Sequence, residues 1–221
     1  MPRTETRYPL IVFDWDGTLM DSAGGIVTSI QEASREMGLE VPTRERASHV
    51  IGLGLHDSLR IAVPDLPVAA YPEFVALYRR HFLAREPVME LFPGVPELLR
   101  NLRSNGLWLA IATGKSRKGL DRALDACGLG ELFVSTRCAD ESSPKPHPAM
   151  LRELMSELGY EAEQLLMIGD TSHDLEMASS AGVDAVAVTY GAHPADSLRA
   201  MAPCGVVNSV RELEAWLTTH A

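Results

Sequence analysis

Two aspartates, one residue apart, close a short apolar run in YPLIVFDWDGTLMDS, Tyr8 to Ser22. Three more polar clusters lie beside later apolar segments: TGKS (Thr113–Ser116), SSPKPHP with Lys145, and GDTSHD with Asp170 and Asp174. Taken singly, each has an ordinary reading. Asp170 would be a helix cap, Asp174 a solvated helix residue, Thr113 and Ser116 turn residues, and Lys145 a surface lysine. Taken together they predict a site, because carboxylates at a buried strand end are costly unless something neutralises them. Two unit charges ~6 Å apart at an effective dielectric of ~20 repel by roughly 3 kcal/mol. Asp14, Asp16, Asp170 and Asp174 brought together would multiply that, so the cluster stays ionised only beside a cation. Oxygen ligands without a His or Cys pattern predict Mg²⁺ rather than Zn²⁺. Magnesium commonly shares its ligands with a phosphate. Lys145 and helix N-termini after Thr113 and Asp170 would complete a local positive field for such an anion.

The elements that must hold these residues follow from periodicity. Leu10–Phe13 reads as a strand buried on both faces. After residue 90, amphipathic helices alternate with apolar runs, and Gly106, Gly159 and Gly182 mark stops of the left-handed kind. Strands are expected near 9–13, 107–112, 132–136, 165–168 and 184–188. Such alternation predicts an α/β class: a Rossmann-like parallel sheet with helices on both faces. Residues 21–89 break the rhythm. Helices are expected over Ser22–Met37 and Val68–Arg85, with no core strand between them. The first strand is thus separated from the rest of its sheet by an insert far longer than one crossover helix. The expected organisation is an α/β core of residues 1–20 and 90–221 carrying an inserted helical domain of residues 21–89. Ligands of open parallel sheets bind outside the carboxyl ends of the strands, where the four polar clusters fall.

The bulk composition sets limits. The 221 residues carry a formal charge of −10, 46% hydrophobic and 23% charged residues, which fits a globular protein and argues against nucleic-acid or anionic-membrane partners. No signal peptide or membrane-spanning run is legible. Cys127, Cys138 and Cys204 lack metal spacing and read as small hydrophobes in a reducing cytoplasm. Two lookalikes fail. ATGKS needs a glycine five places before Gly114 to be a Walker loop, and Leu109 is there; the GLG of Gly52–Gly54 lacks its third glycine at Asp57 and a preceding strand.

The motifs DWDGT, TGK, KPHP and GDTSHD, in that order, resemble the four motifs of the haloacid-dehalogenase-like (HAD) hydrolase superfamily. FDWDGTLMDS, LFPGVPELLRNL and GDTSHDLEMASSAGV resemble its phosphoglycolate-phosphatase-like branch, and the insert resembles that family's helical cap. The likeness covers nearly the whole chain; it is specific for the superfamily and weakly so for substrate. It implies a Mg²⁺-dependent phosphatase acting on a small phosphorylated metabolite through an aspartyl-phosphate. Asp14 would be the nucleophile and Asp16 the acid/base, its backbone carbonyl also on the metal. Thr113 and the Gly114 amide would hold phosphoryl oxygens, Lys145 would bridge phosphate and Asp14, Asp170 would ligate Mg²⁺, and Asp174 would ligate or orient. The cap would close over the site. Its loop IGLGLHDSLR (Ile51–Arg60) is expected to reach in, with His56 or Arg60 touching substrate, while His173 is expected to face solvent. Phosphoglycolate, a sugar phosphate, a nucleotide and pyrophosphate all fit, although TGK departs from the TNK expected of a phosphoglycolate phosphatase. The alternatives are a phosphomutase of the same fold, a non-enzymatic phospho-acceptor, or a binding-only module; a dehalogenase is disfavoured by Asp16. The protein is expected to be cytoplasmic and a monomer or weak homodimer.

Overall fold

Alternating side chains of β1 (Leu10–Phe13) are both apolar and fully buried, so this strand can only lie in the middle of a sheet covered on two faces. The computed structural model, which describes residues 6–221, places it there. In chain order the elements are β1, α1 (Ala23–Glu36), α2 (Arg44–His49), α3 (Leu55–Ala62), α4 (Tyr71–Arg85), α5 (Val95–Ser104), β2 (Trp108–Thr113), α6 (Arg117–Cys127), β3 (Ser135–Cys138), α7 (Ala149–Leu158), β4 (Leu165–Gly169), α8 (Ser172–Ala181), β5 (Asp184–Val188), α9 (Ala195–Ala200), β6 (Gly205–Val207) and α10 (Val210–His220). The sheet is parallel throughout, in the order β3-β2-β1-β4-β5-β6. The chain reverses its direction of travel across the sheet between β1 and β4, which is where such sheets bind ligands.

Period-two alternation sorts the strand residues into two cores. Ile11, Phe13, Leu109, Ile111, Leu166 and Ile168 pack under α5, α6 and α10. Leu10, Val12, Ala110, Ala112, Leu165 and Met167 pack under α7, α8 and α9. The register holds the strand ends level: Phe13 pairs with Ile111 on one side and Ile168 on the other. Residues 14, 112–114 and 169–170 therefore leave the sheet along one rim.

Residues 21–89 form helices with an apolar cluster of their own, in which Ile26, Ile30 and Ala33 of α1 meet Leu59 of α3 and Phe74 and Phe82 of α4. Three details differ from the sequence reading. Strand β3 starts at Ser135 rather than 132, because Gly130–Leu132 winds into a 3₁₀ turn. The edge strand β6 is too short, at three residues, to show a pattern. Cys204 is exposed rather than packed as a small hydrophobe. No helix among the described residues is long and apolar enough to cross a membrane.

Candidate active site

The first turn beyond β1 is shaped by backbone needs before chemistry. Asp14 N still donates to Ile168 O at 2.9 Å, extending the ladder by one residue. Gly17 then turns at φ +86°, and any side chain there would run into the Asp170 carboxylate. This tight turn seats Asp14 at the bottom of the rim, 1% exposed.

Asp14, Asp170 and Asp174 converge so that their carboxylate oxygens lie within 4.8 Å of one another, all three buried. One cation faces them among the described residues: Lys145, fully buried, whose Nζ lies 2.7 Å from Asp14 Oδ1 and 2.6 Å from Asp174 Oδ1. Three carboxylates against one ammonium leave the pocket over-acidic. Burial pushes the Asp14 carboxyl up to about 7, with Lys145 opposing and Asp174 adding to the rise. Asp170 is also pushed well up, by burial first and then by Asp14 and Asp174. Burial alone would lower the Lys145 ammonium, but its two carboxylate neighbours outweigh that and hold it charged.

The outer oxygens of this cluster are firmly held. Thr18 Oγ1 donates to Asp170 Oδ1 at 2.8 Å and the Ala192 amide to Oδ2 at 2.7 Å. Asp174, in the first turn of α8, completes a capping box with Thr171, accepting from Thr171 N and Oγ1 at 3.0 and 2.7 Å. Asp14 is the exception. Neither of its oxygens has a hydrogen bond among the described residues; the contact with Lys145 is one of charge without hydrogen-bond alignment. A buried carboxylate with orphaned oxygens, in an all-oxygen acidic cluster, fits a hard divalent cation or a phosphoryl group.

Asp16 stands apart. Its side chain takes Ser22 Oγ at 2.7 Å and both a 2.9 Å and a 3.0 Å contact from Lys115 Nζ, so it does not join the carboxylate cluster. Only its backbone is left for the metal role that the sequence reading gave it. Lys115 of TGKS has no role that the sequence predicts. Nothing local marks it: its partner is 99 residues away, and its Nζ also sits 4.8 Å over the Phe82 ring of α4. Thr113 is buried at the end of β2, its Oγ1 accepting from Lys115 N at 3.1 Å.

The loop Ile51–Arg60 does reach the rim, but through its glycines. A Cβ on Gly114 would meet Gly52 O at 2.5 Å, and one on Gly54 would meet Pro144 at 2.8 Å, so the insert lies in backbone contact with the core. His56 and Arg60 are not brought to the site. Both are exposed, His56 beside Tyr71 and Arg60 paired with Asp57 at 3.0 Å, and neither lines the cavity. Gly52, Leu55, Ser58 and Leu59 line it instead. His173, expected in solvent, is buried: its Nε2 lies 2.7 Å from His49 O, and Nε2 of His193 lies 3.1 Å from the same oxygen. A carbonyl only accepts, so both rings donate. His193 Nδ1 takes the Ser172 amide at 3.0 Å, which leaves that ring no lone pair for a metal. These histidines pin the end of α2 to the core. Burial lowers both, His193 to about 4.

An acidic cluster at the switch point of a parallel α/β sheet, roofed by an inserted helical unit, defines a class of hydrolase. Residues 11–188 match the haloacid dehalogenase-like hydrolase family. The chain is 39% identical over 211 residues to "Probable phosphatase IndB" of Dickeya dadantii, covering 93% of this chain and 91% of that one. It is 37% identical to the tyrosine-protein kinase PtkA of Mycobacterium tuberculosis, covering 85% of this chain and 64% of that longer protein. Phosphoglycolate phosphatase 1 of Pseudomonas aeruginosa is 30% identical, with 96% and 81% covered. A solved haloacid dehalogenase-like family hydrolase from Streptococcus pneumoniae superposes with a TM-score of 0.81 at 26% identity, covering 95% of this chain and 98% of that one. The chain belongs to the haloacid dehalogenase-like hydrolases, in their phosphoglycolate-phosphatase-like branch, and is an enzyme of the HAD-like phosphatase class.

Proposed function

We propose that the protein is a Mg²⁺-dependent phosphomonoesterase of small phosphorylated metabolites, with Asp14 as nucleophile. The observation that carries the reading is the orphaned, buried Asp14 carboxylate facing Lys145 at the strand rim. Asp14, Asp170 and the Asp16 carbonyl would hold the cation, which would supply charge neutralisation for the transferring phosphoryl group. Asp174 acts mainly through Lys145, holding the ammonium between itself and Asp14. Thr113 and the Gly114 amide orient the phosphoryl oxygens.

An Asp14 oxygen attacks phosphorus, the bond to the ester oxygen breaks, and Asp16 gives that oxygen its proton. Water then attacks phosphorus, Asp16 takes the water's proton, and the bond to Asp14 breaks to release phosphate. Lys115 pairs with the carboxylate form of Asp16, the form the second step needs. Protonating Asp16 ends that pairing and frees the ammonium for the incoming dianion. In this reading residues 1–20 and 90–221 are the catalytic core and residues 21–89 the cap, a division supported by the separate apolar cluster of the insert. The contact of Gly52 with Gly114 supports a closed cap that keeps bulk water from the phosphoryl group.

Hydrolysis of p-nitrophenyl phosphate tests the reading. Turnover is expected with Mg²⁺ and its loss with EDTA, restored by added Mg²⁺. Turnover that survives complete metal removal would refute it.

A further inference from the structure

The cavity above the site is about 420 Å³ and has two unlike halves. Its floor is the charged rim: Asp14, Asp16, Thr113 and Lys115. Its roof belongs to the insert and is apolar: Ile26 and Ile30 from α1, Leu59 from α3, and Phe74, Tyr78 and Phe82 from α4. A bland account would make this roof part of the insert's own core, since most of these residues also belong to its apolar cluster. Packing density argues against that account as the whole story. Interiors are filled to about 0.75 of their volume and leave few voids larger than a water molecule, whereas this space is large enough for a small organic ligand.

The cations lining the cavity are either paired or stand at its solvent-exposed edge. Arg79 and Lys118 are exposed, Arg122 is engaged by Glu86 at 2.6 Å, and Lys115 is held by Asp16. A carboxylate carried by a two-carbon substrate would meet the apolar roof, where an unpaired charge is costly. The roof instead offers a flat aromatic face. Tyr78 and Phe82, one turn apart on α4, stack with centroids 5.9 Å apart and 24° between planes. The Tyr78 hydroxyl adds a polar handle to this half, beside Ser58, whose own hydroxyl is engaged by the Val50 and Gly54 carbonyls. Leu55 and Leu83 border the same cavity and are among the exposed large hydrophobic residues of the chain. Exposed leucines at the edge of a pocket extend its apolar surface outward.

From this two-sided cavity we infer the substrate class: a phosphomonoester whose alcohol or phenol carries an apolar body of at least about six carbons, seated against Tyr78 and Phe82. The inference rests on the phosphatase reading for the placement of the phosphate on the floor, and it narrows that reading away from phosphoglycolate and pyrophosphate.

Binding, rather than turnover, separates the two claims. Ethyl-, butyl- and hexylphosphonate and 3-phosphonopropionate are titrated calorimetrically into the full chain with Mg²⁺. Kd is expected to fall about fourfold per methylene added, with a more negative heat-capacity change for the longer chains. Phosphonopropionate is expected to bind more weakly than butylphosphonate. Leu83→Asp, a change at an exposed position, is expected to weaken hexylphosphonate at least about fivefold and leave ethylphosphonate unchanged. An affinity independent of chain length, a preference for phosphonopropionate over hexylphosphonate, or no phosphonate binding at all would overturn the substrate class. Chain-length-dependent binding without hydrolysis of any alkyl phosphate would refute the phosphatase reading and leave the apolar compartment standing.

Discussion

The floor and the roof of the cavity are built by opposite rules. On the floor nearly every polar atom is spoken for: Asp170 has Thr18 and Ala192, Asp174 has Thr171 and Lys145, and Asp16 has Ser22 and Lys115. Of these carboxylates, only that of Asp14 is left without hydrogen bonds among the described residues. A network whose other carboxylates are satisfied directs its unspent interaction capacity to the one that is not. On the roof, α1, α3 and α4 present mostly apolar side chains, and two of the insert's ion pairs, Arg85 with Glu32 and Arg60 with Asp57, lie away from the cavity. The floor can therefore serve one reaction while the roof admits different leaving groups. The chemistry should be sensitive to single atoms below and to volume and polarity above.

Five substitutions sharpen that contrast, in descending order of expected effect. Asp14→Asn should lower kcat by about 10⁴-fold or more in a steady-state phosphatase assay while leaving the circular-dichroism spectrum intact. It removes one charge from an over-acidic cluster, so the melting temperature of the metal-free protein should not fall. Lys145→Met, by contrast, strands Asp14 and Asp174 without their shared cation. Urea titration should show a loss of about 3–5 kcal/mol in metal-free buffer, reduced by saturating Mg²⁺. Gly114→Ala places a methyl group against Gly52 O and forces the insert off the rim. It should lower kcat/KM by about 10²-fold and speed proteolysis of the α2–α3 segment. At the other extreme, Arg60→Ala or His56→Ala should shift stability by less than about 0.5 kcal/mol and leave KM within about twofold of wild type.

The pin between the halves has its own pH signature. His193 is neutral and buried, lowered from its ordinary value to about 4. The unfolded chain thus binds a proton that the folded one refuses. The contribution of His193 to stability is present above pH ~6.5 and is lost as pH falls toward about 4. Asp14 has the opposite sign in metal-free protein. Raised to about 7, it favours the folded state below its ordinary value, and that contribution is lost as pH rises through 7. It cancels when wild type is compared with His193→Gln. The stability advantage of wild type over the variant, followed by urea titration, should therefore shrink by about 2 kcal/mol between pH 7 and pH 4.5. A pH-independent difference would remove His193 from the pin.

What was legible in the sequence was whatever the strand periodicity could locate. Asp14, Asp170 and Thr113 sit where an apolar run ends, and a parallel sheet sends all such ends to one rim. Lys145 was readable only as a member of the set, since the carboxylates that hold it buried, Asp14 and Asp174, come from distant parts of the chain. What was not legible was set by contacts across long stretches of chain. Lys115 meets Asp16 from 99 residues away, and Ala192 supplies Asp170 with an amide from a loop beyond β5. His173 looked like a solvated helix residue because its burying partner, the carbonyl of His49, lies 124 residues upstream. In the insert, charge drew attention to His56 and Arg60, but α3 is amphipathic and turns those residues outward. The glycines before it, a failed nucleotide-binding lookalike, lie in close contact with the core at Gly114 and Pro144.

The role of Asp14 can be read directly from the protein. Quenching the enzyme during turnover with Mg²⁺ and a phosphate ester, then reducing it with borohydride, converts an acyl phosphate on an aspartate into homoserine, which peptide mass spectrometry can locate. Homoserine at residue 14, dependent on both substrate and Mg²⁺, is the expected result. An unmodified Asp14 during active turnover, with the phosphoryl group trapped on another residue, would contradict the account.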